Sequence, residues 1–65
     1  MRILLNGTEH NLNASQLVEA LEALGYKDAV VATALNGRFV PKALRPSTPL
    51  ADGDHVEVLA AMQGG

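Results

Sequence analysis

Apolar and polar residues alternate with period two near both ends of the chain, and a helical spacing separates the two strand-like regions. Met1, Ile3 and Leu5 alternate with Arg2 and Asn6, with Leu4 as the exception. Asn6-Gly7 then tolerates the two positive φ values of a type I′ turn, so the pattern predicts a hairpin with Thr8 to Leu12 as its weaker return strand. Asn13 with Gln16 three residues on fits a capping box, and Ser15 is a rival cap. A helix is expected from there, with Leu17, Val18, Leu21 and Leu24 on one stripe, Gln16, Glu19 and Glu22 outside it, and Gly25 ending it.

Ala29 to Leu35 is rich in β-branched and small residues and predicts a third strand, which Asn36-Gly37 turns back into Arg38-Phe39-Val40. Pro41 lacks a ladder N–H, so this fourth strand should be short or at an edge. Lys42 to Ala51, with Pro46 and Pro49, reads as a loop holding at most one helical turn. After an Asp52-Gly53-Asp54 turn, His55 to Ala61 alternates again, with Val56 and Val58 on the core side and Glu57 on the other. The order β-β-α-β-β-β implies an α+β domain: a sheet of about five strands with one main helix on one face. A right-handed crossover through the helix favours a later strand parallel to the first, hence a mixed sheet. Residues 1–61 form one domain in this reading, and 62–65 a flexible tail.

Composition narrows the chemistry. With 65 residues, one Phe, one Tyr and no Trp, the core must be aliphatic. A domain this small buries only about 60% of the surface of its unfolded chain, too little for an elaborate active site of its own. The absence of cysteine excludes disulfides, thiolate zinc sites and a side-chain sulfur nucleophile. Seven acidic and five basic residues, spread along the chain, lack the Lys/Arg cluster that nucleic-acid binding requires. No run of apolar residues is long enough to span a membrane, and the opening residues do not form a signal peptide, so the expected location is cytoplasmic.

The last two residues are Gly64 and Gly65. A terminal Gly-Gly is a carboxylate on a backbone without side chains, able to enter a narrow channel and adopt φ/ψ values closed to other residues. At neutral pH that carboxylate is ionised and a poor electrophile, so it needs activation before it can react. Joining it to AMP supplies a leaving group, and a sulfur donor then makes a thiocarboxylate. Ala61 to Gly65 spans roughly 16 to 18 Å when extended, enough to enter a partner's active site while the body stays outside. There is no Gly-rich phosphate loop, so ATP is expected to bind the partner.

Taken together, Ile3-Leu4-Leu5-Asn6-Gly7, Leu17-Val18-Glu19-Ala20-Leu21-Glu22-Ala23-Leu24-Gly25 and Ala34-Leu35-Asn36-Gly37-Arg38-Phe39-Val40-Pro41-Lys42 make a recognisable series. With Asp52-Gly53-Asp54-His55-Val56-Glu57-Val58 and the terminal Gly64-Gly65, the whole chain resembles the ubiquitin-like β-grasp sulfur carriers, the ThiS/MoaD family, and within it those of thiamine biosynthesis. The resemblance implies a protein-bound cosubstrate rather than an enzyme. A ThiF-like adenylyltransferase would use ATP to adenylate the Gly65 carboxylate, and a cysteine desulfurase or other donor would supply sulfur. A ThiG-like thiazole synthase would then take that sulfur into the thiazole ring. Gly65 is the modified residue in this scheme, with Gly64 and Gln63 as its tail. A small subunit of molybdopterin synthase, a ubiquitin-like modifier conjugated through Gly65, and a pure β-grasp binding module are the alternatives.

Candidate partner contacts are Leu59 and Met62, facing outward near the tail, with Phe39 beside them; Leu59 closing the bottom of the core is the competing reading. Lys42 and Arg45 are candidate basic contacts or loop-solvating charges. His10 and His55 lack the spacing of a metal site and read as surface residues, and Asp52 and Asp54 lack the further ligands of a calcium loop. Ser15, Ser47 and Thr48 read as cap and loop residues rather than nucleophiles.

Overall fold

Two Asn-Gly turns set the frame. In a computed structural model describing residues 1–60, Asn6 (φ 48°) and Gly7 (φ 84°) turn β1 (Arg2–Leu5) into β2 (Thr8–Asn11). Asn36 (φ 50°) and Gly37 (φ 83°) likewise turn β3 (Val31–Leu35) into β4 (Arg38–Val40). Positive φ at both central positions is what a tight, right-twisted hairpin requires, and Asn and Gly tolerate it best. β5 (His55–Ala60) lies between the hairpins, giving the order β2-β1-β5-β3-β4. It runs parallel to β1 and antiparallel to β3, so the sheet is mixed, as expected.

The turn asparagines also hold β5. Asn6 accepts from the Val58 N–H (2.9 Å) and donates to the Val58 carbonyl (3.0 Å), completing a strand edge that β1 has already left. Asn36 accepts from the His55 N–H (2.9 Å) through its side chain, and its own N–H donates to the His55 carbonyl (2.8 Å). Two local turn signals therefore also make long-range contacts.

α1 (Leu17–Ala23) packs on one sheet face, where Ile3, Leu17, Ala20, Leu21, Val40, Val56 and Val58 form the buried core. The buried helical stripe includes Ala20, while Val18 is only half-buried. The helix begins later than either expected cap. Leu17 N–H donates to the Thr48 carbonyl (2.8 Å) and Leu50 N–H to the Ser15 carbonyl (3.0 Å), which holds Gln16 extended and makes it the cap. Glu19 reaches back to accept from the N–H groups of Ser15 (2.7 Å) and Gln16 (2.9 Å), and these bonds hold its carboxyl below the usual range. At the other end, Tyr26 N–H donates to Leu21 O and Gly25 N–H to Glu22 O, the Schellman arrangement that stops a helix.

The segment after β4 departs most from expectation. Lys42–Ser47 forms a 3₁₀ helix rather than a loop with a single turn, since six residues at three per turn make about two turns. Arg45 within it is buried, not solvating a loop. Its Nε donates to Thr33 Oγ1 (3.1 Å) and its Nη2 to the Val31 carbonyl (2.7 Å), while the Thr33 hydroxyl donates to the Val40 carbonyl (2.8 Å). β3 begins at Val31, two residues later than the sequence pattern suggested. Among the described residues no helix is long and apolar enough to cross a membrane.

Candidate functional site

The outer face of the sheet, opposite α1, is where the candidate contact residues converge. Parity along β5 decides this. Val56 and Val58 point into the core, at 0% and 6% exposure, so Glu57 and Leu59 point outward, and Leu59 is 72% exposed. The same parity in β4 buries Val40 and leaves Phe39 70% exposed. Leu59 therefore does not close the core.

β3 supplies the space between these two side chains. Its inward positions include Thr33, whereas Ala32 and Ala34 lie on the outer face, with Ala32 opposite Leu59 and Ala34 opposite both Phe39 and Glu57. Two methyl side chains between a Phe and a Leu leave a shallow apolar depression of about 140 Å³. Glu57 is also on the rim of a larger, more open concavity of about 610 Å³, bounded by Leu4, His55 and the two Asn-Gly turns. Phe39 and Leu59 are thus exposed apolar side chains on one face, beside polar neighbours. The sequence alternation placed Glu57 on this side of β5, whereas Ala32 and Ala34 were not singled out in the sequence.

The other candidates are dispersed. Lys42 lies in a cleft between α1 and the 3₁₀ helix, apart from the Phe39 and Leu59 depression. Met62, Gln63, Gly64 and Gly65, and the Ala61 end of the last strand, lie outside the described residues. The last described residue of β5, Ala60, is five positions before Gly65.

The two histidines occupy opposite faces of the sheet. His10 pairs with the inward Ile3 and is half-buried, which corrects its reading as a surface residue, whereas His55 pairs with Leu4 and is exposed. The Asp52 and Asp54 oxygens are engaged in holding a turn. Asp52 accepts from the Arg2 N–H (2.7 Å), and Asp54 accepts from the Ala51 N–H (2.8 Å) and the Asn36 amide (3.1 Å). Ser47 and Thr48 both donate to the Leu44 carbonyl, as loop residues do.

Comparisons with known proteins agree with this arrangement. The chain matches the ThiS family over residues 3–65. It is 44% identical over 61 residues to a sulfur carrier protein ThiS of Thermus thermophilus, covering 94% of this chain and 95% of that one. It is also 39% identical over 66 residues to a thiazole synthase of Paramagnetospirillum magneticum, where it spans 100% of its own length but 20% of that protein's. Among solved structures, the crystal structure of the thiamine biosynthesis protein ThiS from Geobacter metallireducens superposes with a TM-score of 0.84 at 32% identity, covering both chains completely. A solution structure of a thiamine biosynthesis protein from the same organism gives 0.76, also at 32% identity, over 100% of this chain and 88% of that one. The ubiquitin-like fold, the match from residue 3 to the second terminal glycine and a relative of nearly equal length place this chain in the ThiS family.

Proposed function

We propose that this chain is the sulfur carrier of thiazole formation in thiamine biosynthesis. The observation that carries the reading is the family match, which runs through the body and includes Gly64-Gly65. An oxygen of the Gly65 carboxylate attacks the α-phosphorus of ATP on a ThiF-like adenylyltransferase, and diphosphate leaves. A hydrosulfide equivalent, drawn from a cysteine desulfurase or another donor, then attacks the acyl carbon and expels AMP, leaving a thiocarboxylate. A ThiG-like thiazole synthase takes the sulfur into its substrate, and an oxygen from that substrate or from water replaces it on the acyl carbon, returning the carboxylate. The chain contributes the reacting carboxylate and the surface that brings it to each enzyme, and the enzymes contribute the catalysis. The similarity to one fifth of a thiazole synthase supports that enzyme as a partner, since in that relative a segment similar to this chain belongs to the same polypeptide.

The outer face is the docking surface for the adenylating enzyme in this reading. Phe39 and Leu59 would enter an apolar site on the partner, with Met62 extending the contact towards Gln63, Gly64 and Gly65. Lys42 lies in a different cleft from that face and is left out of this contact.

Intact mass spectrometry tests the proposal. The protein is incubated with an adenylating enzyme, ATP and sulfide, beside a variant lacking Gly65. A mass gain equal to the exchange of one oxygen for sulfur, absent from the variant, is the expected result. No gain with an enzyme of demonstrated activity would contradict it, and a bond from Gly65 to a target lysine would establish a protein modifier instead.

A further inference from the structure

Three of the five basic residues, Lys27, Lys42 and Arg45, line one cleft of about 160 Å³ between α1 and the 3₁₀ helix. A single carboxylate, Glu22, shares its wall, and Leu21 and Pro46 give it apolar surface. Arg45 is the informative member. It is 8% exposed, and a guanidinium buried without a carboxylate carries a desolvation cost that neutral acceptors offset only in part. Its two recorded acceptors, the Thr33 hydroxyl and the Val31 carbonyl, are both neutral.

Those bonds pin Nε and Nη2. Nη1 donates to no atom of the described residues, and Arg45 forms part of the cleft wall. The ion pair found among the described residues joins Arg2 to Glu9, which leaves none of the three cleft cations paired there.

We propose that this cleft binds a small oxyanion, and specifically a short-chain aliphatic carboxylate. Arg45 offers a donor held in a fixed direction by its bonds to β3, the geometry that suits a planar carboxylate. Lys27 and Lys42 add positive potential from the cleft walls, and the aliphatic part of the ligand covers Leu21 and Pro46. A bare phosphate would satisfy the cations but leave that apolar surface wet. The cleft lies beside α1, opposite the outer face, so its occupancy is independent of docking through Phe39 and Leu59.

The test is an NMR titration of the whole chain with sodium propionate, sodium phosphate and sodium chloride at matched ionic strength. Propionate is expected to give saturable shifts confined to the Arg45 side-chain N–H and to backbone amides of residues 21–27 and 42–45, with phosphate binding more weakly. Arg45 substitutions can unfold the domain, so the variant is Lys27→Gln with Lys42→Gln, both at exposed positions. Losing two partly screened charges should weaken propionate binding by about fivefold while the rest of the spectrum stays unchanged. Linear shifts common to all three salts, or an unchanged affinity in the lysine variant, would overturn the site. Phosphate binding tighter than propionate would overturn its assignment to a carboxylate.

Discussion

Val58 and Leu59 are consecutive aliphatic residues on one strand, yet one is 6% and the other 72% exposed. The inner face of the sheet spends its apolar side chains on α1, with Ile3, Leu17 and Val56 fully buried. The outer face leaves Phe39 and Leu59 open around two alanines. A domain this small has few large apolar groups, so leaving two of them in water forgoes stabilisation it could otherwise have had. That division gives the inner face to folding, and the proposed function would use the outer one for recognition. The same strand serves both, because side chains in a strand alternate between faces.

Truncating the core between α1 and the inner face should have the largest effect. Leu17→Ala is expected to cost about 2 to 5 kcal/mol in denaturant unfolding, through lost burial and the cavity left behind. The equivalent change outside, Leu59→Ala, should remain within about 0.5 kcal/mol; a comparable loss at both sites would break the comparison. The turns that hold β5 come next. Asn6→Ala should cost about 1 to 2 kcal/mol, because it leaves the Val58 N–H and carbonyl unpaired and puts alanine at a positive φ.

The Glu19 contact should appear as a pH dependence. Its carboxyl is lowered in the fold by the N–H groups of Ser15 and then Gln16. The stability it contributes is therefore complete above the ordinary carboxylate pKa and fades as pH falls through the lower folded value. Glu19→Gln should flatten that part of an acid titration, and an unchanged curve would show that the contact carries no stability. The smallest effect belongs to the exposed Arg2–Glu9 pair at 3.2 Å. Arg2→Ala should change stability by about 0 to 1 kcal/mol in the same unfolding assay.

Much of this division can be read from the residue order. Both Asn-Gly dipeptides, the Val56 and Val58 alternation and the helical spacing around Leu17 and Leu21 are local signals, and the structure follows them. The parity that buries Val40 and Val58 also places Phe39 and Leu59 outside. What the pattern misses depends on contacts distant in sequence. Gln16 becomes the helix cap because residues 48–50 bond to residues 15–17, and no local pattern contains that strand-like pairing. Arg45 reads as a solvated charge until Thr33 and Val31 are brought beside it. The Pro46 that suggested a loop is accommodated in a 3₁₀ helix. Gly65 lies outside the described residues, so its proposed chemistry rests on the tail sequence and the family match rather than on the fold.

The most direct test of the account joins the outer face to the tail chemistry. Phe39→Glu with Leu59→Glu, the parent protein and Leu17→Ala would each be melted and then assayed by intact mass for thiocarboxylate formation with an adenylating enzyme, ATP and sulfide. The account predicts that the outer-face variant melts close to the parent yet accumulates thiocarboxylate at least about tenfold more slowly, since charges placed in an apolar contact remove its main anchors. Leu17→Ala, assayed below its melting temperature, should react at the parent rate. An outer-face variant that is modified as fast as the parent would contradict the account, because the tail would then reach its enzyme without that surface.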